Sequence, residues 1–190
     1  MGSDHLYSVP PDLPRPEDDG ACAHLPGTEL PALALPATTG PPVRLDRLAT
    51  PWTVIYAYPK TGLPDQAPPA DWDAISGARG CTPQNCAFRD RADALRALGA
   101  SIYGLSTQTT EYQREMATRL QLPYPVLSDA GLQLTYVLRL PTFQYDGSTL
   151  LRRFCLIVRG SRIAHVIYPV FPSNADAPAA LQWLEAQAGT

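Results

Sequence analysis

The sequence has no dense run of lysine and arginine, and its formal net charge is −3 over 190 residues. Both features weigh against a nucleic-acid footprint, which needs clustered positive charge. No apolar run approaches the ~18 residues of a membrane-spanning helix, so no membrane partner is expected. The N-terminal stretch MGSDHLYSVPPDLPRPEDDG lacks the basic-then-apolar pattern of a secretory signal, and a cytoplasmic location is the expectation. Cysteine is sparse: four residues are too few for the disulfide scaffold of a small secreted domain. No Cys-x-x-Cys is present, which removes the usual zinc pair and the thioredoxin-type dithiol. His5, His24 and His165 are scattered without ligand spacing, so neither a metal nor a cofactor is expected. There is no glycine-rich phosphate loop, no arguable Ser/His/Asp arrangement and no internal repeat.

What is present suits one soluble domain. Apolar residues make up 45% and charged residues 17%, an ordinary globular balance. Residues 1–25 are rich in Pro, Asp and Gly without apolar periodicity and read as a flexible N-terminal arm, leaving 26–190 as the domain. LPALALP and PPVRLDRL read as short extended pieces, and WTVIYAYP (Trp52–Pro59) as a buried strand ended by proline. A polar Pro/Gly-rich loop of twenty residues, 61–80, follows; loops of that length tend to be functional or disordered. Helical spacing then runs from Thr82 as N-cap and Pro83 as first helical residue to a stop at Gly99. Ser101–Thr107 reads as a strand, Thr109–Leu122 as a helix, Tyr124–Asp129 as a short strand and Leu132–Leu138 as helical. LLRRFCLIVRG and SRIAHVIYPV form a hairpin around Arg159–Gly160, and Asn174–Ala188 closes the chain as a helix. The order predicts an α/β fold with a mixed sheet flanked by helices.

The stretch GARGCTPQNCAFRD carries two cysteines five residues apart at the start of the first long helix. Just before the N-cap, free N–H groups and the positive helix end favour the Cys81 thiolate, the form that attacks; Arg79 and Arg89 are near in sequence. Five helical residues separate two positions by ~7.5 Å of rise and ~140° of rotation. A disulfide needs Cα atoms within about 7 Å, so Cys81 and Cys86 can bond only after the first turns unwind. That geometry suits a pair held apart when reduced and joined when oxidised. It equally admits Cys86 as a small core residue and Cys81 as an ordinary loop thiol, and these residues alone leave both readings open.

GCTPQNCAFRD resembles the active-site segment of the peroxiredoxin Q, or bacterioferritin comigratory protein, group of peroxiredoxins. YAYPK is similar to that group's preceding strand end, GLST and YPVLSD to its later segments, and LPGTELPALALPATTGPPVRLDRL to its opening. The resemblance covers residues 26–170. It implies a thioredoxin-like fold and a monomeric peroxidase that reduces hydrogen peroxide and organic hydroperoxides. It also implies Cys81 as the peroxidatic cysteine, Cys86 as the resolving cysteine, and thioredoxin or a similar thiol as reductant. Pro59, Gly80, Thr82 and Arg153 are the expected substrate-binding residues. The catalytic arginine is Arg152 or Arg153, of which strand alternation allows one to face the site; counting back from the hairpin favours Arg152.

Two departures accompany the resemblance. The group has Pro and Thr seven and three residues before its cysteine, whereas Pro59 stands 22 residues before Cys81 and position 78 is Ala. The missing hydroxyl then falls to Ser76, Thr82 or the insert, or the site works without one. These departures keep a second function class in view, a non-enzymatic redox sensor or adaptor in which the disulfide reshapes the helix and the insert. Cys155, within RFCLIV, reads as a core residue, and Cys22 as an exposed thiol or an alternative resolving one. Trp72 reads as a pin for the insert, with a place over the site mouth as the other reading.

Overall fold

The computed structural model describes Tyr7 and residues 9–189; His5 lies outside the described residues. Short antiparallel strands β1 (Ala34–Leu35) and β2 (Val43–Arg44) precede β3 (Trp52–Ala57), whose β-branched and aromatic residues are almost all buried. A 3-10 turn (Trp72–Ala74) lies within the 61–80 segment. Helices α1 (Cys81–Asp90) and α2 (Ala92–Ala97) then lead to β4 (Ala100–Ser106), which pairs parallel with β3. Helix α3 (Thr110–Arg119), β5 (Val126–Ser128) and α4 (Gln133–Leu138) follow. Two hairpins come next, β6 (Thr142–Tyr145) with β7 (Ser148–Leu151) and β8 (Phe154–Arg159) with β9 (Arg162–Ile167), before α5 (Asp176–Ala188).

The central sheet has the order β5-β4-β3-β8-β9 and is mixed: β5, β4 and β3 pair in parallel, β8 is antiparallel to β3, and β9 is antiparallel to β8. Alternation along its middle strands sends side chains to two separate cores. Val54, Tyr56 and Tyr58 of the β3 segment, with Cys155 and Ile157 of β8, pack against Phe88, Leu95 and Leu184 of the helices. Ile55 and Ala57, with Phe154, Leu156 and Val158, face the opposite core with Leu134 and Leu138. Layers on both faces of a mixed sheet are the predicted architecture.

Three local features differ from the sequence reading. The long helix starts two residues earlier, with Gly80 as its N-cap in the left-handed region, and Thr82 is inside the first turn. Pro83 is tolerated there because the first-turn N–H groups have no intrahelical partner to lose. The helix also breaks at Arg91 before resuming as α2, and Gly99, with φ 76°, follows its end. The segment LLRRFCLIVRG is divided between β7 and β8, with Arg152 and Arg153 between them. The extra hairpin turns at Asp146–Gly147, both at positive φ, as tight hairpin turns require.

The N-terminal segment, expected as a flexible arm, is mostly exposed and touches the domain at particular residues. Cys22 and Leu25 are buried in the second core, and the Tyr168 hydroxyl donates to Asp19 Oδ1 at 2.9 Å. The apolar side chains at 22 and 25 cover an open edge of that core, which holds the segment despite its lack of periodicity.

Candidate active site

Cys81 occupies the first position of α1 and is 5% exposed. Its thiol donates to the Ala78 carbonyl at 3.6 Å, and Arg153 Nη2 approaches its sulfur at 3.4 Å. The same Nη2 reaches the carbonyls of Gly77, Ala78 and Arg79 at 3.1–3.3 Å, and Nη1 donates to Gln84 Oε1. A buried guanidinium thus ties the last turn of the 61–80 segment to the start of α1, with charge-assisted bonds throughout.

The structure brings Arg153, and not the favoured Arg152, to the sulfur. Arg152 lies over the Phe143 ring at 5.9 Å, away from the sulfur, while Arg153 is the residue beneath Cys81. One arginine of the two faces the sulfur, but counting back from the hairpin picked the other, because both residues sit in the link between β7 and β8 and not in one continuous strand.

A cavity open to solvent lies above Cys81. Gly80, Cys81 and Thr82 line it with Lys60, Thr61 and Tyr112, and the insert contributes Pro68, Pro69 and Trp72. Pro59 stands outside this lining and its carbonyl accepts the Ser106 hydroxyl at 3.0 Å. Three hydroxyl-bearing residues line the cavity, Thr61 of the insert, Thr82 and Tyr112, whereas Ser76 turns away and donates to the Pro14 carbonyl. Trp72 pins the insert and lines the mouth together: its ring meets Tyr145 edge-on at 4.9 Å, with Lys60 Nζ over both rings.

Cys86 is half-buried on the same intact helix, and burial raises its thiol above the ordinary value. The helix between the two cysteines is secured by Asn85, whose Nδ2 donates to the Cys81 carbonyl at 2.8 Å and whose Oδ1 accepts from Tyr56 at 2.6 Å. Tyr56 in turn stacks on Phe88 at 4.1 Å. The remaining two thiols are buried. Cys22 is buried in the opposite core and pushed up to about 12 by that burial, and Cys155 is fully buried on β8, as expected. Burial pushes Cys155 well above the usual thiol range.

His24 bonds the Leu138 carbonyl at 2.8 Å, and His165 stacks on Trp183 at 5.2 Å. Among the described residues no three His, Cys, Asp or Glu side chains gather as a metal ion would require. No helix among them is long and apolar enough to cross a membrane.

Two residues of the site escaped the sequence reading. Gln84 lies three residues after Cys81, on the same helix face, a spacing that signals it. Asp176 lies 92 residues further on and bonds Gln84 from α5, with no local signal at all.

Comparison with known proteins places this geometry. The redoxin family model matches residues 25–183. Peroxiredoxin bcp1 of Schizosaccharomyces pombe is 30% identical over 136 residues, 71% of this chain and 61% of that protein. The chloroplastic peroxiredoxin Q of Arabidopsis thaliana is 32% identical over 105 residues, 55% of this chain and 42% of that one. The chain therefore spans less than two thirds of the length of these curated relatives. Among solved structures, peroxidoxin BcpB from Mycobacterium tuberculosis superposes with a TM-score of 0.70 at 28% identity, covering 86% of this chain and 98% of that chain. Peroxiredoxin Q from Xanthomonas campestris shares the fold with a TM-score of 0.65 at 23% identity, covering 84% of this chain and 96% of that chain. The thioredoxin-like fold expected from the sequence is the fold of these neighbours.

Proposed function

The chain belongs to the redoxin family, with the peroxiredoxin Q and bacterioferritin comigratory proteins as its kin, and from that membership we propose that it is a thiol-dependent peroxidase. The observation that carries the proposal is the 3.4 Å contact of Arg153 Nη2 with the Cys81 sulfur at the floor of an open cavity.

In this reading the Cys81 thiolate attacks the terminal oxygen of a hydroperoxide. An S–O bond forms as the O–O bond breaks; Cys81 becomes a sulfenic acid and the departing alkoxide or hydroxide takes a proton. Arg153 and the free N–H groups at the start of α1 face the atoms where charge moves, the arrangement that stabilises such a displacement. Gly80 and Thr82 shape the floor, and hydrogen peroxide and organic hydroperoxides are the substrates.

Resolution follows when the first turns of α1 open. The Cys86 thiolate attacks the sulfenic sulfur, water leaves, and a Cys81–Cys86 disulfide results. Support for a required opening comes from the intact helix itself, which holds the two positions ~7.5 Å apart along its axis and on different sides. Thioredoxin or a similar dithiol then supplies two electrons and two protons. Such a cycle fits a reducing, cytoplasmic setting and a monomer, since every group it uses comes from one chain.

The test is peroxide consumption by the reduced protein with thioredoxin, thioredoxin reductase and NADPH, followed by mass mapping of disulfides. Sustained turnover with a Cys81–Cys86 bond is the expected result. A single stoichiometric oxidation would reject the peroxidase in favour of a redox sensor.

A further inference from the structure

Asp176 is the first residue of α5 and is completely buried. An acidic residue in a helix's first turn ordinarily stands in water and complements the helix dipole. Here its carboxylate turns inward onto α1, where Gln84 Nε2 donates to Oδ2 at 2.5 Å. The other end of the same amide, Oε1, accepts from Arg153 Nη1. Arg153 Nη2 in turn touches the Cys81 sulfur. Four residues from α1, α5 and the β7–β8 link therefore form one buried chain of contacts.

The chemistry of an amide makes this chain directional. A glutamine has one accepting and one donating end. Turned over, Gln84 would set its NH2 against the guanidinium N–H groups and its oxygen against the carboxylate, two like-to-like contacts away from water. Asp176 and Arg153 thus specify the same orientation from opposite sides. The Ala57 carbonyl also accepts from Nε2, but at the longer distance of 3.3 Å. Arg153 Nε has no hydrogen-bond partner among the described residues, so the guanidinium is held through its two terminal nitrogens alone. Gln84 holds Nη1.

We propose that Asp176 is a positioning residue of the peroxide site, acting through Gln84 to hold the Arg153 guanidinium against the Cys81 sulfur. The inference rests on Cys81 and Arg153 being the reactive pair proposed above. The carboxyl suits the task over a range of pH because its accepting oxygen serves Gln84 whether or not the group is ionised. Burial, against the opposing pull of Gln84 and Arg153, pushes Asp176 up to about 7, and its Oδ1 has no partner among the described residues.

Alkylation of Cys81 by iodoacetamide, followed on its peptide by mass spectrometry, tests this in the reduced full chain without any peroxide. The variants are Asp176→Leu, Asp176→Ala, Asp176→Asn, Gln84→Ala and Gln84→Ala/Asp176→Leu. Leucine removes the acceptor and leaves no unpaired buried oxygen, and Asp176→Ala makes the same comparison without added bulk. Asparagine keeps an acceptor for Gln84. Asp176→Leu is expected to slow Cys81 alkylation at pH 7 about fivefold, the effect of one lost hydrogen bond, with Asp176→Asn within about twofold of wild type. In the Gln84→Ala background Asp176→Leu is expected to add nothing, because the intermediary is gone. Wild-type reactivity in Asp176→Leu, or an equal loss with Gln84 removed, overturns the proposal. Peroxide turnover is absent from this readout, so failure of the peroxidase reading registers separately in the coupled assay.

Discussion

A side chain at Gly80 would stand where Ser173 already is: its Cβ would lie 2.5 Å from Ser173 Cβ and would overlap the hydroxyl. Gly80 also has φ 98°, a conformation that costs other residues strain. The two constraints let the segment before α5 press against the start of α1, and so fix where Cys81 begins the helix. Gly80→Ala is expected to cost about 3 kcal/mol, the sum of a left-handed penalty and a backbone shift. Urea denaturation measures it, and the same variant should react more slowly with peroxide at Cys81. A loss under about 1 kcal/mol would mean that the contact relaxes freely.

The two adjacent arginines make a second comparison. Arg153→Ala is expected to lower the second-order rate of Cys81 oxidation by about 100-fold or more, the scale for a lost charge-stabilising donor. Arg152→Ala, which loses a ring contact with Phe143, should stay within about threefold. Arg153→Lys should not rescue, since one ammonium cannot span Gln84, the loop carbonyls and the sulfur together. Stopped-flow oxidation separates the cases, and equal losses at 152 and 153 would remove Arg153 from its role.

Cys86→Ser should still consume one equivalent of peroxide and leave a sulfenic acid on Cys81, detectable by dimedone labelling. Cys81→Ser should abolish the reaction. Cys22→Ser should leave turnover unchanged, because Cys22 is buried in the opposite core. Equal loss in both α1 variants would sink the division of labour between them.

The Asp176 carboxyl makes stability depend on pH with a definite sign. Its folded value, raised from 3.8 to about 7, means that the folded state holds the proton more tightly than the unfolded chain. Its contribution is therefore fully present below about pH 4 and is lost as pH rises through 7. Relative to Asp176→Asn, the wild type should lose on the order of 4 kcal/mol across that window, by the linkage relation. Arg153, Tyr56, Tyr124 and Cys155 are the ionisable neighbours coupled to it, and all four remain in both proteins. Urea midpoints at pH 4, 5.5, 7 and 8 measure the gap. Parallel curves would show that the buried carboxyl does not titrate there.

Much of this site is legible in the chain because its parts are local. Cys81 and Cys86 share a helix whose start the sequence signals to within two residues, at Thr82 and Pro83, and whose inward face is marked by Phe88, Ala92 and Leu95. The five-residue spacing is enough to separate the thiols, since helical geometry is the same wherever the helix sits. The buried middle strands are equally plain in WTVIYA and FCLIVR, where β-branched and aromatic residues dominate.

The arginine, the acid and the insert were another matter. Arg152 and Arg153 differ by one position, and only the link between β7 and β8 decides which of them enters the interior. Asp176 reads as an ordinary solvated acid at a helix start until α5 packs on α1 and dries it. Residues 61–80 read as a long polar loop pinned by Trp72, but only packing shows that the pin meets Phe143 and Tyr145 of a hairpin some seventy residues away and lines the cavity as well. The sequence by itself determined most of the elements and the spacing of the two cysteines, because propensity, periodicity and helix geometry act within a few residues. The tertiary structure alone decided which distant charges meet the sulfur, because burial and hydrogen-bond pairing are settled only when separate elements pack together.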